Sequence, residues 1–195
     1  MDRKKDNYDF VDIEDYYSAY KDRLADYLKI FKNLEQDSQK VLLMHLGGII
    51  IECYIKYIIV RVHDIKKSRR NTLWYSEKVF NNISNQKNLE KKYINEQVTK
   101  NNPGHNIRKG IEEIDNSLKD VIEQDKNINK AIEIIQNPLL SLYNNKNGYD
   151  EVEYIDLRYI SSNEITNINI LFDEWKKYFS DLNKWLLARS GELGV

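Results

Sequence analysis

Apolar positions recur at helical spacing along most of the chain, and they predict where its helices lie. Between about Ile13 and Leu34 apolar residues return every three or four positions, the period of an amphipathic helix. A second helix begins at Asp37 or Ser38, either of which can cap it, and continues to about Arg61. Because this helix is apolar on nearly every side, we expect it to form the centre of a helical bundle.

A polar segment separates these two helices from the next one. Residues from about 62 to 102 are polar and are predicted to form an insertion with two short amphipathic pieces. Asn102 and Pro103 then supply a cap and a first helical position, because the missing amide of proline is tolerated there. The apolar spacing predicts one long third helix that continues to Ile122.

Two more helices complete the pattern. The fourth runs from about Ile128 to Tyr143 and must bend or restart near Pro138, since proline removes an amide donor and clashes with the preceding turn. Ser161 and Glu164 have the spacing of a capping box and predict the start of the final helix. We expect the tail to fray from Arg189 onward.

Composition supports one all-α domain over residues 1–195. The chain has 195 residues, a length typical of one domain, and its 7 Gly and 2 Pro are too few for a fold of many short strands and tight turns. The predicted fold is therefore an antiparallel helical bundle of about five main helices with a short-helix insertion after the second. A net charge of −1 provides no overall field for nucleic acid or an anionic membrane, so such binding would need a local patch.

A few residues indicate the cellular compartment and argue against a membrane span. The stretch Val41–Val60 is long and apolar enough for a membrane span, but Glu52 and Lys56 lie inside it and favour a buried helix. The single Cys53 excludes an internal disulfide and is expected to be a buried, inert thiol. No apolar stretch follows the charged amino terminus, so we expect a cytoplasmic protein with no membrane partner.

Three stretches, in this order along the chain, resemble the HEPN family of helical-bundle domains of prokaryotic stress, defence and toxin systems. The second helix contains GGIIIECYIKYII, which is similar to the family's small-residue, apolar, Glu-x-x-x-Lys pattern through Glu52 and Lys56. The third begins PGHNIRKGIEEI, which resembles Gly-His-x-Leu with Ile107 in place of Leu. The segment YIDLRYISSNEIT resembles an Arg-Tyr segment before the last helix through Tyr154, Arg158 and Tyr159.

The chain departs from the ribonucleases of that family. Those members carry an Arg followed by His after four to six residues, whereas the histidines here are His45, His63 and His105, and neither Arg61 nor Arg158 has that spacing. Acid and base catalysis on RNA needs groups that converge on one phosphate. We therefore expect the non-ribonuclease branch of the family, with no catalytic residues of this type. An unconventional nuclease that uses Arg158, His105 and an acid is the least favoured function.

The resemblance implies a non-catalytic module that binds a nucleotide, RNA or a partner protein such as a nucleotidyltransferase, in a stress, defence or toxin–antitoxin system. It also implies a homodimer. The alternative is a pure protein–protein interaction module, a dimerisation or scaffold domain without a small ligand. No cofactor is expected, and no Cys or His pair has the spacing of metal ligands.

The candidate phosphate-binding residues lie at the amino end of the third helix. His105 stands at this end, Arg108 and Lys109 follow within a turn, and free amides together with the helix dipole attract anions there. Arg158 and Lys56 complete the candidate set. The alternative role of His105 is a hydrogen bond to the loop before the helix.

Within the second helix, Glu52 and Lys56 are one turn apart and are expected to form a structural ion pair, with phosphate contact by Lys56 as the alternative. Gly47 and Gly48 predict the close approach of a neighbouring helix.

A basic run follows that helix. The stretch RVHDIKKSRR could contact backbone phosphates, or it could be a solvated helix end. Its cations are Arg61, Lys66, Lys67, Arg69 and Arg70. The tyrosine-rich stripe of the first helix and the tryptophans have helical spacing, which favours a core or dimer interface over base stacking.

Overall fold

Helices, turns and no strands make up the part of the chain that the structure, a computed structural model, describes: residues 15–63, 65, 103–140 and 152–195. The α-helices within these ranges are α1 (Tyr16–Lys32), α2 (Asp37–Val62), α3 (Ile107–Ile114), α4 (Ser117–Gln124), α5 (Lys126–Gln136) and α6 (Ile168–Glu192). Two 3₁₀ helices precede α6, and the longer one, Tyr154–Tyr159, is called the 3₁₀ segment below. The predicted all-α bundle is confirmed, and residues 64 and 66–102 of the insertion predicted at about 62–102 lie outside the described residues.

Helix α2 is the centre of the bundle, as its apolar sequence predicts. Leu43, Ile50, Ile51 and Ile58 are fully buried in the core. Helices α1, α3 and α6 and the 3₁₀ segment pack around α2. Among the described helices, α2 alone is long and apolar enough to cross a membrane, and 61% of its most apolar window is buried inside the protein. The other elements of the chain therefore cover most of that apolar surface.

Helix α2 starts differently from the prediction. The expectation that Asp37 or Ser38 caps it is wrong, because Gln36 is the capping residue. The Gln39 side-chain oxygen accepts the Gln36 backbone N–H at 2.8 Å, in a reciprocal capping arrangement. Asp37 instead accepts a hydrogen bond from Lys40, with 2.6 Å between Oδ1 and Nζ. The helix ends at Val62, close to the predicted Arg61.

The predicted long third helix is two helices. Helix α3 ends at Ile114, because the backbone of Asp115 is extended with φ −154° and ψ 129°. The Asp115 carboxylate accepts the Ser117 backbone N–H at 2.8 Å, and the chain then turns into α4. Ile114 and Leu118 are both buried. The apolar spacing continues across the break, which is why the sequence pattern suggests one helix.

Helix α3 also begins later than predicted. Its capping residue is Asn106, whose side-chain oxygen accepts the Lys109 backbone N–H at 2.8 Å. Pro103 is buried in the turn before the cap rather than in the helix, and Asn102 lies outside the described residues. Gly104 has a φ of +64°, a conformation that residues with a side chain adopt at a cost, so it turns the chain into α3.

The carboxy-terminal helices differ from the prediction at their ends. Helix α5 stops at Gln136, before Pro138, and residues 141–143 lie outside the described ranges. The predicted capping box is wrong, because residues 162–164 form a separate 3₁₀ turn and Asn167 adopts the left-handed conformation, φ 58°, before α6. Helix α6 continues to Glu192 instead of fraying at Arg189, and these two side chains form an ion pair.

Gly47 and Gly48 let two aromatic rings lie directly on α2. A Cβ on Gly47 would overlap the indole of Trp175 in α6, and a Cβ on Gly48 would overlap the ring of Tyr154. The predicted close approach is confirmed. At Gly48, however, the approaching element is the 3₁₀ segment rather than a long helix.

Candidate functional site

A polar stripe crosses the otherwise apolar helix α2. His45, Gly48, Glu52 and Lys56 are spaced by three or four residues and therefore share one face. The 3₁₀ segment lies against this face, where His45 Nδ1 donates to the Tyr154 carbonyl oxygen at 2.8 Å. The Tyr154 ring lies over Gly48, and its hydroxyl donates to Glu52 Oε2 one helical turn further along α2.

Glu52 is the central acceptor of this cluster. Lys56 Nζ donates to Oε1 at 2.6 Å, and His105 Nδ1 donates to Oε2 at 2.9 Å. Its side chain is only 14% exposed. Burial alone would raise the pKa of this carboxyl, but the His105 hydrogen bond and the charge and hydrogen bond of Lys56, with help from Tyr154, lower the pKa to about 2. Glu52 is therefore an ionised carboxylate held among donors, and the predicted pair with Lys56 is confirmed.

His105 is an exposed member of the cluster. The hydrogen bond to Glu52 raises the pKa of the imidazole above 6.5, and the charges of Glu52 and Glu153 add to this effect, while burial and Lys56 oppose it. Its side chain is 55% exposed. Because Nδ1 is bound to Glu52 and the described residues supply no hydrogen bond to Nε2, the ring when protonated keeps one N–H donor, at Nε2, for a ligand.

The backbone around His105 is held by a side chain that the sequence did not indicate as important. Gln136 Nε2 donates to the His105 carbonyl oxygen at 3.3 Å, and its Oε1 accepts the Ile107 backbone N–H at 2.7 Å. The Tyr154 hydroxyl also lies 3.2 Å from the His105 carbonyl oxygen. A polar Gln136 at the end of the apolar run AIEIIQ was the one available signal, whereas nothing in the sequence predicted the reach of the Tyr154 hydroxyl.

The amides at the start of α3 are partly occupied. The Ile107 N–H is bound by Gln136 and the Lys109 N–H by Asn106, so these two donors do not face a ligand. The Arg108 guanidinium donates to the Asn129 side chain of α5. Lys109 lies one residue further along and is half-buried. The predicted position of His105 at this helix end is confirmed, but the exposed donor there is the imidazole rather than these amides.

The remaining candidates divide into two groups. Lys56 joins His105 through Glu52, with Lys56 buried and its Nζ committed to the carboxylate. Arg158 lies on the 3₁₀ segment, four residues after Tyr154, and is exposed with its guanidinium 4.7 Å from the Tyr159 ring centroid. The structure thus brings His105 and Lys56 into one cluster and leaves Arg158 beside it, without a hydrogen bond to either.

Other predicted features lie away from this cluster. Arg61 is exposed near the end of α2, whereas Lys66, Lys67, Arg69 and Arg70 fall outside the described residues. Cys53 is half-buried, and burial together with the charge of Glu52 raises the pKa of its thiol to about 11. In the described ranges no three His, Cys, Asp or Glu side chains group as metal ligands would.

The tyrosine stripe of α1 contributes to the core, as predicted, through its buried residues Tyr16, Tyr20 and Tyr27.

Comparison with known proteins gives no match for this chain, whether with family models, curated proteins or solved structures.

Proposed function

We propose that this protein is a non-catalytic HEPN-like module that binds a phosphate of a nucleotide or of RNA at the exposed edge of His105. The observation that supports this function is how the ring is held: Nδ1 is fixed on the buried carboxylate of Glu52, while the imidazole is 55% exposed and its Nε2 has no hydrogen bond to the described residues. The family resemblance of the sequence extends the proposal to a prokaryotic stress, defence or toxin–antitoxin setting.

The physical reason is preorganisation. Glu52 raises the pKa of His105 and fixes the ring, so little rotamer entropy is lost when an anion accepts the Nε2 hydrogen of the protonated imidazole. A hydrogen bond between two charged groups is stronger than a neutral one. Lys56 neutralises the second oxygen of Glu52, which limits the repulsion between that carboxylate and an incoming phosphate. Binding without catalysis fits the sequence, in which no Arg is followed by His after four to six residues.

Isothermal titration calorimetry with AMP tests this function. His105→Gln removes the imidazolium but keeps a polar side chain, and we expect it to weaken AMP binding by roughly 10- to 100-fold, the effect of one lost charge-assisted hydrogen bond. Wild-type affinity should also fall as the pH rises through the raised pKa of His105, because the neutral ring loses its charge.

Lys119→Gln is the matched control, since it removes one positive charge from an exposed position on α4. Its AMP affinity should equal that of the wild type. Equal affinities for AMP in the wild type and in His105→Gln would show that His105 does not bind the ligand. Equal losses in His105→Gln and Lys119→Gln would show that general positive charge, rather than His105, attracts it.

A second function, a pure interaction module, is favoured by one surface. Tyr17, Leu28 and Phe31 are 42%, 46% and 36% exposed, and with Leu24 they follow intervals of seven, four and three residues, which place them on one face of α1. Such a stripe suits packing against a second helix, from another copy of the chain or from a partner such as a nucleotidyltransferase. Native mass spectrometry separates the two functions: a co-purified nucleotide supports the first, and a dimer without nucleotide supports the second.

A further inference from the structure

The most exposed large apolar side chain among the described residues belongs to the 3₁₀ segment. Tyr159 is 75% exposed. The guanidinium of Arg158 lies 4.7 Å from the centroid of its ring. Arg158 forms no ion pair with the described residues, so a cation without a carboxylate partner sits beside an aromatic ring that is open to solvent. This pair has no role in the core.

The 3₁₀ segment that carries this pair is held on the core by its buried side chains. Tyr154 and Leu157 are buried, with 0% and 1% exposure, and the Tyr154 hydroxyl donates a hydrogen bond to Glu52 on α2. Side chains three residues apart share a face of a 3₁₀ helix, so burial of Tyr154 and Leu157 directs Arg158 and Tyr159 to the other faces. The exposed ring is therefore carried by a fixed backbone, which reduces the entropy lost when a ligand stacks on it.

The 3₁₀ segment carries Tyr159 at one end and, at the other, Tyr154, whose hydroxyl reaches the backbone of His105. At about 2 Å of rise per residue, the backbones of Tyr154 and Tyr159 are about 10 Å apart. The Tyr154 hydroxyl lies 3.2 Å from the His105 carbonyl oxygen, so the Tyr154 end of the segment is the His105 end. One or two nucleotides can bridge such a separation, with a phosphate at one end and a base at the other.

We infer that Tyr159, with Arg158 beside it, is a stacking platform for an unpaired base, so that the ligand of the His105 site is a nucleotide or single-stranded RNA rather than a duplex. This inference rests on the proposed phosphate site and adds the part that recognises the base. Single-stranded nucleic acids are bound in this way, with cations along the backbone and bases stacked on aromatic side chains. A base within a duplex has both faces covered and could not use the ring.

Calorimetry with AMP and with ribose 5-phosphate, which lacks the base, tests the platform. The wild type should bind AMP roughly tenfold or more tightly than ribose 5-phosphate, the usual effect of one stacked base. Tyr159→Leu removes the aromatic face and should reduce AMP affinity to that of ribose 5-phosphate without changing the latter. Tyr159→Phe retains the ring and should keep the AMP affinity of the wild type.

The outcomes separate the platform from the phosphate site. Equal affinity of AMP for the wild type and Tyr159→Leu, with a loss in His105→Gln, overturns the platform and leaves the phosphate site standing. A loss in Tyr159→Phe as large as that in Tyr159→Leu also overturns it, because stacking does not need the hydroxyl. If the wild type binds neither AMP nor ribose 5-phosphate, both proposals fail.

Discussion

Replacing Glu52 by Gln would remove the centre of the polar cluster with almost no change in shape. Every group that contacts this carboxylate is a donor: Lys56, His105 and Tyr154. In Glu52→Gln the amide nitrogen, itself a donor, would face one of these donors whichever way the amide group is turned. Lys56 would then keep a buried charge without its partner. Removing one partner of a buried ion pair typically costs about 3–5 kcal/mol of stability.

The pKa of Glu52 gives an independent magnitude. At about 1.4 kcal/mol for each pKa unit, a fall from 4.5 to about 2 corresponds to about 3 kcal/mol in favour of the folded, ionised state. With the side chain only 14% exposed, solvent screening reduces this value little. Both routes predict that Glu52→Gln lowers the free energy of unfolding by about 3 kcal/mol near neutral pH.

Urea denaturation near pH 6 measures this loss. Glu123→Gln, at an exposed position of α4, is the control and should change stability by less than about 0.5 kcal/mol. The double variant Glu52→Gln, Lys56→Met should recover part of the loss, because it removes the unpaired charge. A loss below about 1 kcal/mol for Glu52→Gln would refute the reasoning, since the carboxylate would then not be holding the cluster together.

Two further predictions concern stability. The pKa of His105 is raised above 6.5, so its contribution to stability is complete below pH 6.5 and is lost as the pH rises through the raised pKa. The pKa of Glu52 is lowered, so its contribution is complete above pH 4.5 and is lost as the pH falls towards 2. Urea denaturation from about pH 5 to 9 should therefore show a decline for the wild type that is absent in His105→Gln. Gly48→Ala should lower the free energy of unfolding by about 1–3 kcal/mol, because its Cβ would overlap the Tyr154 ring. Gly191→Ala in α6, where a Cβ would meet nothing within 4 Å, should stabilise the protein slightly, and equal thermal unfolding of the two variants would contradict this.

Features contained within one helix were predictable from the sequence. The Glu52–Lys56 pair and the central position of α2 depend only on spacing and apolarity along one helix, and the structure confirms both. The break at Asp115 was not predictable in this way, because buried residues keep the helical period on both sides of it. The cap at Gln36 was missed because Gln is a less favoured capping residue than the Asp and Ser beside it.

Contacts between elements could not be read from spacing. His105 is 53 residues away from Glu52 in the chain, and Tyr154 is 102 residues away. The sequence identified His105 and Glu52 as separate candidates, but only the folded arrangement shows that one orients the other. The role of Gln136 could not be predicted for the same reason, since it depends on the position of α3 relative to α5.

Nitrogen NMR of the His105 imidazole, followed while AMP is added, would show whether this ring binds the phosphate. We expect His105 to titrate above pH 6.5 in the free protein, and AMP to raise its pKa further because an anion binds the protonated ring more tightly. The Nε2 resonance should move on addition of AMP while Nδ1 remains bonded to Glu52. A pKa below 6.5, or a ring whose pKa and Nε2 resonance are indifferent to AMP, would contradict the account.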